Sequence, residues 1–279
     1  MFRCFYSIFS LFRRFKPVLS RCAFTIYAVE VENLGFTYKN GSFFINNLTF
    51  KIEKNSVYAL TGNNGSGKTT LLRLLVGLLK PKSGKIKIFN EILTRNKKQL
   101  WNVRQQIGYL FENPDDQLFA PTIEEDVSFG AKNLSITPEE VKNRVEWALN
   151  AVDLLEYKRY SPFNLSWGQK KRASLAGLLA MKPKLLILDD PFANLDFKSV
   201  YKLLEIFEKL RKEENITILF TTHDLFFVEN WADHMLLLNR GNFVFEGNPK
   251  EGLKLPIVKD IMGSYNEIEE LIQKSRKKI

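Results

Sequence analysis

One eight-residue run, Gly62-Asn63-Asn64-Gly65-Ser66-Gly67-Lys68-Thr69, constrains this chain more than any other segment. It follows Val57-Tyr58-Ala59-Leu60-Thr61, which reads as a buried strand, and precedes an apolar helical run over 69–79. A glycine-rich turn between strand and helix that closes on Gly-Lys-Thr fits the pattern G-x-x-x-x-G-K-[ST] in full. Its glycines let successive backbone N–H groups curl around phosphate oxygens, and the helix N-terminus adds a favourable dipole. The expected roles are residue-specific. Lys68 reaches the β- and γ-phosphates, the Thr69 hydroxyl is placed for Mg²⁺, and Gly62, Asn63, Asn64, Gly65, Ser66, Gly67 and Thr70 form the nucleotide cradle.

Around this loop the pattern alternates between strands and helices. Residues 28–38 and 43–52 alternate apolar and polar positions about Lys39-Asn40-Gly41-Ser42, which predicts an antiparallel hairpin. Further strands are expected at 84–89, 107–111, Leu185–Leu188 and 216–220, with a helix at 198–212. The stretch 122–179 reads as helical, and Thr137-Pro138-Glu139-Glu140 supplies a cap and first turn. The fold class is therefore α/β, with a core interrupted by a mainly helical insertion. Leu185-Leu186-Ile187-Leu188 buries a strand and delivers Asp189 and Asp190 at its end, about 120 residues after the loop. An acid so placed is suited to hold Mg²⁺.

Between these two motifs lies Leu165-Ser166-Trp167-Gly168-Gln169, which resembles the signature of the ABC ATPases. Asn194-Leu195-Asp196 resembles the D-loop of that family, and Thr221-Thr222-His223-Asp224 resembles its switch-histidine motif. The resemblance spans about 29–250 and implies the ABC ATPase fold: a RecA-like P-loop NTPase core with an antiparallel β subdomain and a helical subdomain at about 112–182. Residues 1–28 then form a basic aromatic extension and 251–279 a helical tail. The resemblance also implies that Tyr38 stacks on adenine, that His223 senses the γ-phosphate, and that Ser166, Gly168, Gln169 and Asp196 contact nucleotide across a dimer. A lone histidine such as His234, without that frame, reads as structural.

A narrower resemblance sits inside the first. Asn113-Pro114-Asp115-Asp116-Gln117-Leu118-Phe119-Ala120-Pro121-Thr122 and Glu124-Glu125-Asp126-Val127 are similar to the ATPases of energy-coupling-factor importers, which take up vitamins or metal ions. That implies a second ABC ATPase (identical or a paralogue), a transmembrane coupling subunit, a substrate-binding membrane protein, and a peripheral place on the cytoplasmic face of the membrane. Asp115, Asp116 and Gln117 become interface candidates. Three positions depart from the family pattern. Asp190 stands where a glutamate general base is usual, Glu112 where a glutamine is usual near the metal, and Trp167 where the signature has its first glycine. These leave open harmless drift or a slow site within an unlike pair.

Composition narrows the alternatives. No stretch approaches the ~18 to 20 apolar residues that a membrane-spanning helix needs. The net charge of +10 invites a nucleic-acid reading, but Arg3, Arg13, Arg14, Lys16 and Arg21 all precede the first acid, Glu30, and Arg276, Lys277 and Lys278 lie at the other end. The region between is closer to balance, so no dedicated nucleic-acid surface is expected. Phe2, Phe5, Phe9 and Phe12 fall on one helical face, fitting either an interfacial helix or an unordered extension before the true start. Cys4 and Cys22 suggest neither a disulfide framework nor a metal site. A soluble ABC ATPase of repair or translation remains the rival class, although long coiled-coil insertions and a second cassette, its usual marks, are not evident.

Overall fold

A computed structural model describes residues 27–39, 41, 44–94 and 96–263. The expectations for the N-terminal extension and for the end of the tail lie outside the described residues. Strands β1 (Tyr27–Thr37) and β2 (Phe44–Glu53) form the expected hairpin, with Val31 opposite Phe50 and Phe36 opposite Ile45. β3 (Val57–Thr61) leads into α1 (Lys68–Leu75), which stops earlier than its apolar run suggests because Gly77 turns left-handed at φ 70°. β4 (Ser83–Ile88) and the two-residue β5 (Glu91–Ile92) return along the other side of β1, giving an antiparallel sheet in the order β2-β1-β4-β5. After α2 (Lys97–Gln105), β6 (Ile107–Leu110) enters a second sheet.

The stretch 122–179 is three helices: α3 (Ile123–Lys132), α4 (Pro138–Ala151) and α5 (Trp167–Leu179). Thr122, Thr137 and Ser166 cap them, each accepting a backbone N–H three residues on. The chain then runs through β7 (Leu185–Leu188), α6 (Phe197–Glu213), β8 (Thr217–Thr221), the short α7 (Leu225–Asn230) and β9 (His234–Asn239). β10 (Asn242–Gly247), α8 (Pro249–Gly252) and α9 (Pro256–Met262) close the described chain. The second sheet has the order β10-β9-β3-β8-β7-β6, parallel except for β10.

This parallel sheet is buried on both faces, as such sheets must be. Along β3, Val57 and Ala59 face one core while Tyr58 and Leu60 face another. In β7, Leu186 and Leu188 separate from Leu185 and Ile187 in the same way. The first core joins the sheet to helices α3 to α7; the second joins it to α1 and the antiparallel sheet. His234 begins β9 and stacks on Tyr58 with ring centroids 4.5 Å apart, in keeping with its structural reading.

The first core ends in an aromatic group in which Phe192, Phe207 and Phe220 surround Trp231, whose ring lies 4.5 Å from that of Phe220. Phe220→Ala deletes a fully buried ring from β8. It should cost about 3–5 kcal/mol, read as a lower midpoint in urea at unchanged slope.

Candidate functional site: a nucleotide cleft at the carboxyl ends of four strands

β3, β8, β7 and β6 are consecutive neighbours in the sheet, and the carboxyl end of each, or the loop that follows it, contributes to the same cleft. Open α/β sheets bind ligands at this edge. The cleft is about 620 Å³ and is lined by Tyr38, Asn64, Gly65, Gly67, Lys68, Thr69, Thr70, Glu112, Asp189, Asp190, Thr221 and His223. Most of the expected residues are thus brought together from five separated parts of the sequence.

The loop is shaped by its glycines. Gly62 sits at φ 144°, and a Cβ there would lie 2.0 Å from the Leu238 carbonyl oxygen. Gly65 and Gly67 are also left-handed, at φ 76° and 110°. The Lys68 ammonium folds back over the turn and donates to the carbonyls of Gly62 (2.8 Å) and Asn63 (3.1 Å). Burial pushes its pKa down, while Asp190, Asp189 and Glu112 favour its charge. Gly62, Asn63 and Ser66 do not line the cleft. The first two hold Lys68 by their backbones, and Ser66 is buried behind the loop, where its carbonyl accepts from Gly241 N at 3.0 Å. The Ser66 hydroxyl finds no partner among the described residues.

Asp189 is the most constrained side chain of the site. Oδ1 accepts from Thr221 Oγ1 at 2.9 Å and from Thr69 Oγ1 at 3.3 Å, and Oδ2 accepts from Tyr109 Oη at 3.2 Å. Burial, then the carboxylate, pushes the Tyr109 phenol well above its usual range, so it stays a donor. Thr221 accepts in turn from Asp190 N at 2.8 Å, joining the ends of β7 and β8. The sequence does not single out Tyr109; its only signal there is a polar tip on a short apolar strand next to β7. Thr221 stands out only as part of a motif.

Asp190 adopts φ 41°, a left-handed conformation that an aspartate tolerates better than most residues. Its carboxyl pKa is pushed up to about 6, first by burial and then by Glu112 and Asp189, against Lys171 and Lys68. Lys171 is another residue that sequence patterns pass over. It is completely buried on α5, held down to about 8 by burial and favoured as a cation by Asp190, Glu112 and Asp189. Burial, then the Lys68 charge, lowers the His223 pKa against the opposing effect of Glu112, and so favours the neutral ring. Tyr38 stands at the cleft margin, its hydroxyl 3.2 Å from Thr70 Oγ1 and its ring edge-on to Phe36.

The four remaining candidates lie apart from this cleft. Ser166 and Gln169 form a capping box at the start of α5: Ser166 N donates to Gln169 Oε1 at 2.9 Å, and Ser166 Oγ accepts from Gln169 N at 3.3 Å. Asp196 caps α6 by accepting from Ser199 N at 2.8 Å. Gly168 lets the two helix starts meet, since a Cβ there would lie 2.7 Å from Ser199 Oγ. Trp167 occupies the first position of α5, and its shielded indole N–H finds no acceptor among the described residues.

A phosphate-cradling loop, a buried acid that a threonine of the next helix touches, and a capped helix start set apart define a nucleotide-binding cassette. Comparison with known proteins agrees: the ABC transporter family matches over residues 45–193. The energy-coupling factor transporter ATP-binding protein EcfA of Methanocaldococcus jannaschii is 41% identical over 226 residues, covering 81% of each chain. That of Carboxydothermus hydrogenoformans is 40% identical over 241 residues, covering 83% of this chain and 88% of its own. CbiO1 of Clostridium perfringens, described as part of the ABC transporter complex cbiONQ, superposes with a TM-score of 0.76 at 35% identity, covering 88% and 99% of the two chains. The cassette MJ0796, a dimer bound to ADP and Pi, superposes at 0.70 with 27% identity over 79% and 98% of the chains. The chain belongs to the ABC transporter family, among the ATP-binding proteins of energy-coupling factor transporters. It is an ATP-binding ATPase of that family.

The raised Asp190 pKa has a consequence for stability. In the native state its ionised form is penalised, so relative to an Asp190→Asn variant the wild type loses stability as pH rises from about 4 through about 6. Asp190→Asn should leave the nucleotide-free protein more stable above pH 6, by at most about 3 kcal/mol, and equal to wild type near pH 3. Urea unfolding at both pH values measures this.

Proposed function

We propose that this chain energises an energy-coupling-factor importer by binding and hydrolysing MgATP in the cleft at the ends of β3, β6, β7 and β8. The observation that supports it most is the placement of Thr69 and Asp189 against each other beside the Lys68 loop. A hydroxyl and a single carboxylate suit Mg²⁺, which keeps waters and takes its other ligands from phosphate oxygens. Among the described residues no three His, Cys, Asp or Glu side chains converge on a metal position, so the ion would arrive with the triphosphate. When bound, Mg²⁺ would neutralise charge developing on the β- and γ-phosphate oxygens.

The chain's own groups supply the rest. Lys68 would exchange its carbonyl partners for phosphate oxygens, and the loop amides would cradle the β-phosphate. Tyr38 would lie against the adenine ring. Asp190 would accept a proton from the attacking water, neutral His223 would donate to the γ-phosphate, and Glu112 would reach the metal through water. Ser166 and Gly168, at the positive end of α5, would meet the γ-phosphate held by a second ATPase, with Asp196 at the same dimer seam. Gln169 would act indirectly, by fixing Ser166 through the capping box.

No described helix is long and apolar enough to cross a membrane. The chain's likeness to the ATP-binding proteins of energy-coupling factor transporters supports a place at the cytoplasmic face, against a transmembrane coupling subunit. The segment after β6 would carry that contact. Phe119 and Phe129 are exposed there and pack edge to face, 4.9 Å apart. Of the three interface candidates, Asp115 and Asp116 are exposed, and Asp115 pairs with Lys170 at 2.7 Å. Gln117 instead turns inward, accepting from Phe111 N at 3.1 Å. The cargo would be a vitamin or a metal ion, selected by another membrane subunit.

Two variants test the site. Lys68→Ala should weaken ATP binding at least about tenfold, since it removes a charge-assisted contact to phosphate. Asp190 is one methylene shorter than a glutamate, and a misplacement near 1 Å costs on the order of 10²-fold. Asp190→Glu should thus raise a slow wild-type turnover. A brisk wild-type rate left unchanged by Asp190→Glu would reject the idea of a slow site.

A further inference from the structure

Lys171 is a long cationic side chain in the fully buried interior, yet none of the roles assigned to the site falls to it. Its ammonium donates to two backbone carbonyls, those of Phe111 and Asp190, each at 3.3 Å. No ion pair of the described residues includes it. The cation thus spends its hydrogen bonds on backbone rather than on the carboxylates that balance its charge, although a buried ammonium gains more from a carboxylate. The two carbonyls it chooses belong to the residue just before Glu112 and to Asp190 itself.

The rest of α5 reinforces one of these contacts. Gln117 accepts from Phe111 N at 3.1 Å and donates to Ser174 O at 3.4 Å, one turn along the helix from Lys171. The segment that carries Glu112 is therefore held to α5 from both sides of the Phe111 peptide. Among the described residues, Asp190 has no such second tie to the helix. Among them its carbonyl otherwise accepts only the local turn bond from Ala193 N at 3.2 Å, and its backbone is in the left-handed region. The direction of its carboxylate depends on that peptide, and Lys171 is what joins the peptide to α5.

We propose that Lys171 is a positioning residue that transmits the seating of α5 to the chain's own hydrolytic carboxylate. α5 begins at Ser166 and Gly168, and Lys171 follows one turn later on the same rigid helix. In the function proposed above, Ser166 serves the nucleotide of a second ATPase while Asp190 serves the nucleotide of this one. Lys171 then links the two: engagement of the helix start by the partner's nucleotide shifts the Phe111 and Asp190 carbonyls together. This inference rests on that reading of the dimer.

The test uses the full chain, or its complex with a second ATPase, and reads MgATP affinity, turnover and melting temperature for each variant. Replacing a buried cation by an apolar side chain of similar volume is often neutral or stabilising. Lys171→Met is accordingly expected to fold and to bind ATP within about twofold of wild type, while kcat falls at least about tenfold as the carboxylate loses its position. Lys171→Gln, whose amide is too short to bridge both carbonyls, should show the same split. Combined with Ser166→Ala, the loss should be smaller than the product of the single losses, because both act through one linkage.

A folded Lys171→Met or Lys171→Gln protein with wild-type kcat overturns the proposal. So do losses that multiply independently with Ser166→Ala, which would leave Lys171 acting only within its own site. If neither variant folds, the lysine is a structural residue and the proposal also falls. A wild-type chain without MgATP turnover, alone or paired, would instead overturn the functional reading on which this rests.

Discussion

Everything in this protein depends on a parallel sheet that is apolar on both faces. Alternate residues of β3, β7, β8 and β9 go to different cores, so neither face can be left to solvent. One core recruits helices α3 to α7, and the other recruits α1 and the antiparallel sheet. Once the strands are parallel and adjacent, their carboxyl ends fall side by side. Four short apolar strands therefore suffice to bring loop 62–69, Glu112, the two aspartates and His223 to one edge, although they span some 160 positions.

At that edge the chemistry is one of crowded negative charge held by few cations. Among the described residues, Asp189 is kept in place by three hydroxyl donors and no cation within bonding distance, whereas Asp190 has burial and then Glu112 against its charge. Lys68 and Lys171 offset this from opposite sides, one through the loop and one through α5. Burial and the carboxylates crowded at this edge disfavour a further negative charge there. This accounts for a carboxylate, that of Asp190, that resists ionisation.

Much of the site is legible in the sequence, for a physical reason. Phosphate binding by backbone amides demands glycine at fixed spacing, and an acid at a buried strand end stands out against apolar neighbours, so Gly62 to Thr69 and Asp189 announce themselves. Tyr109 and Lys171 do not, because their meaning is tertiary: each reaches a residue some 20 to 80 positions away. β5, β9 and β10 are also hidden; β5 is two residues long, and the run 234–247 lacks a clear period. Within the helical stretch, 122–179, the pattern conveys a helical character, but the breaks need the caps at Thr137 and Ser166 to be weighed against a continuous apolar stripe. Gln169 is a different case: its side chain is occupied in capping its own helix, a role that only the folded helix start discloses.

The fold of Lys68 over its own loop has a thermodynamic consequence. With its ammonium bonded to the Gly62 and Asn63 carbonyls, the shape of the cradle is held by the loop's own residues. Ligand entry then exchanges one set of hydrogen bonds for another without ordering a disordered segment, so little conformational entropy is lost and little apolar surface is newly covered at the loop. Heat released on nucleotide binding would therefore vary only weakly with temperature at this locus. Any large heat-capacity change on nucleotide binding would then come from surfaces outside this loop.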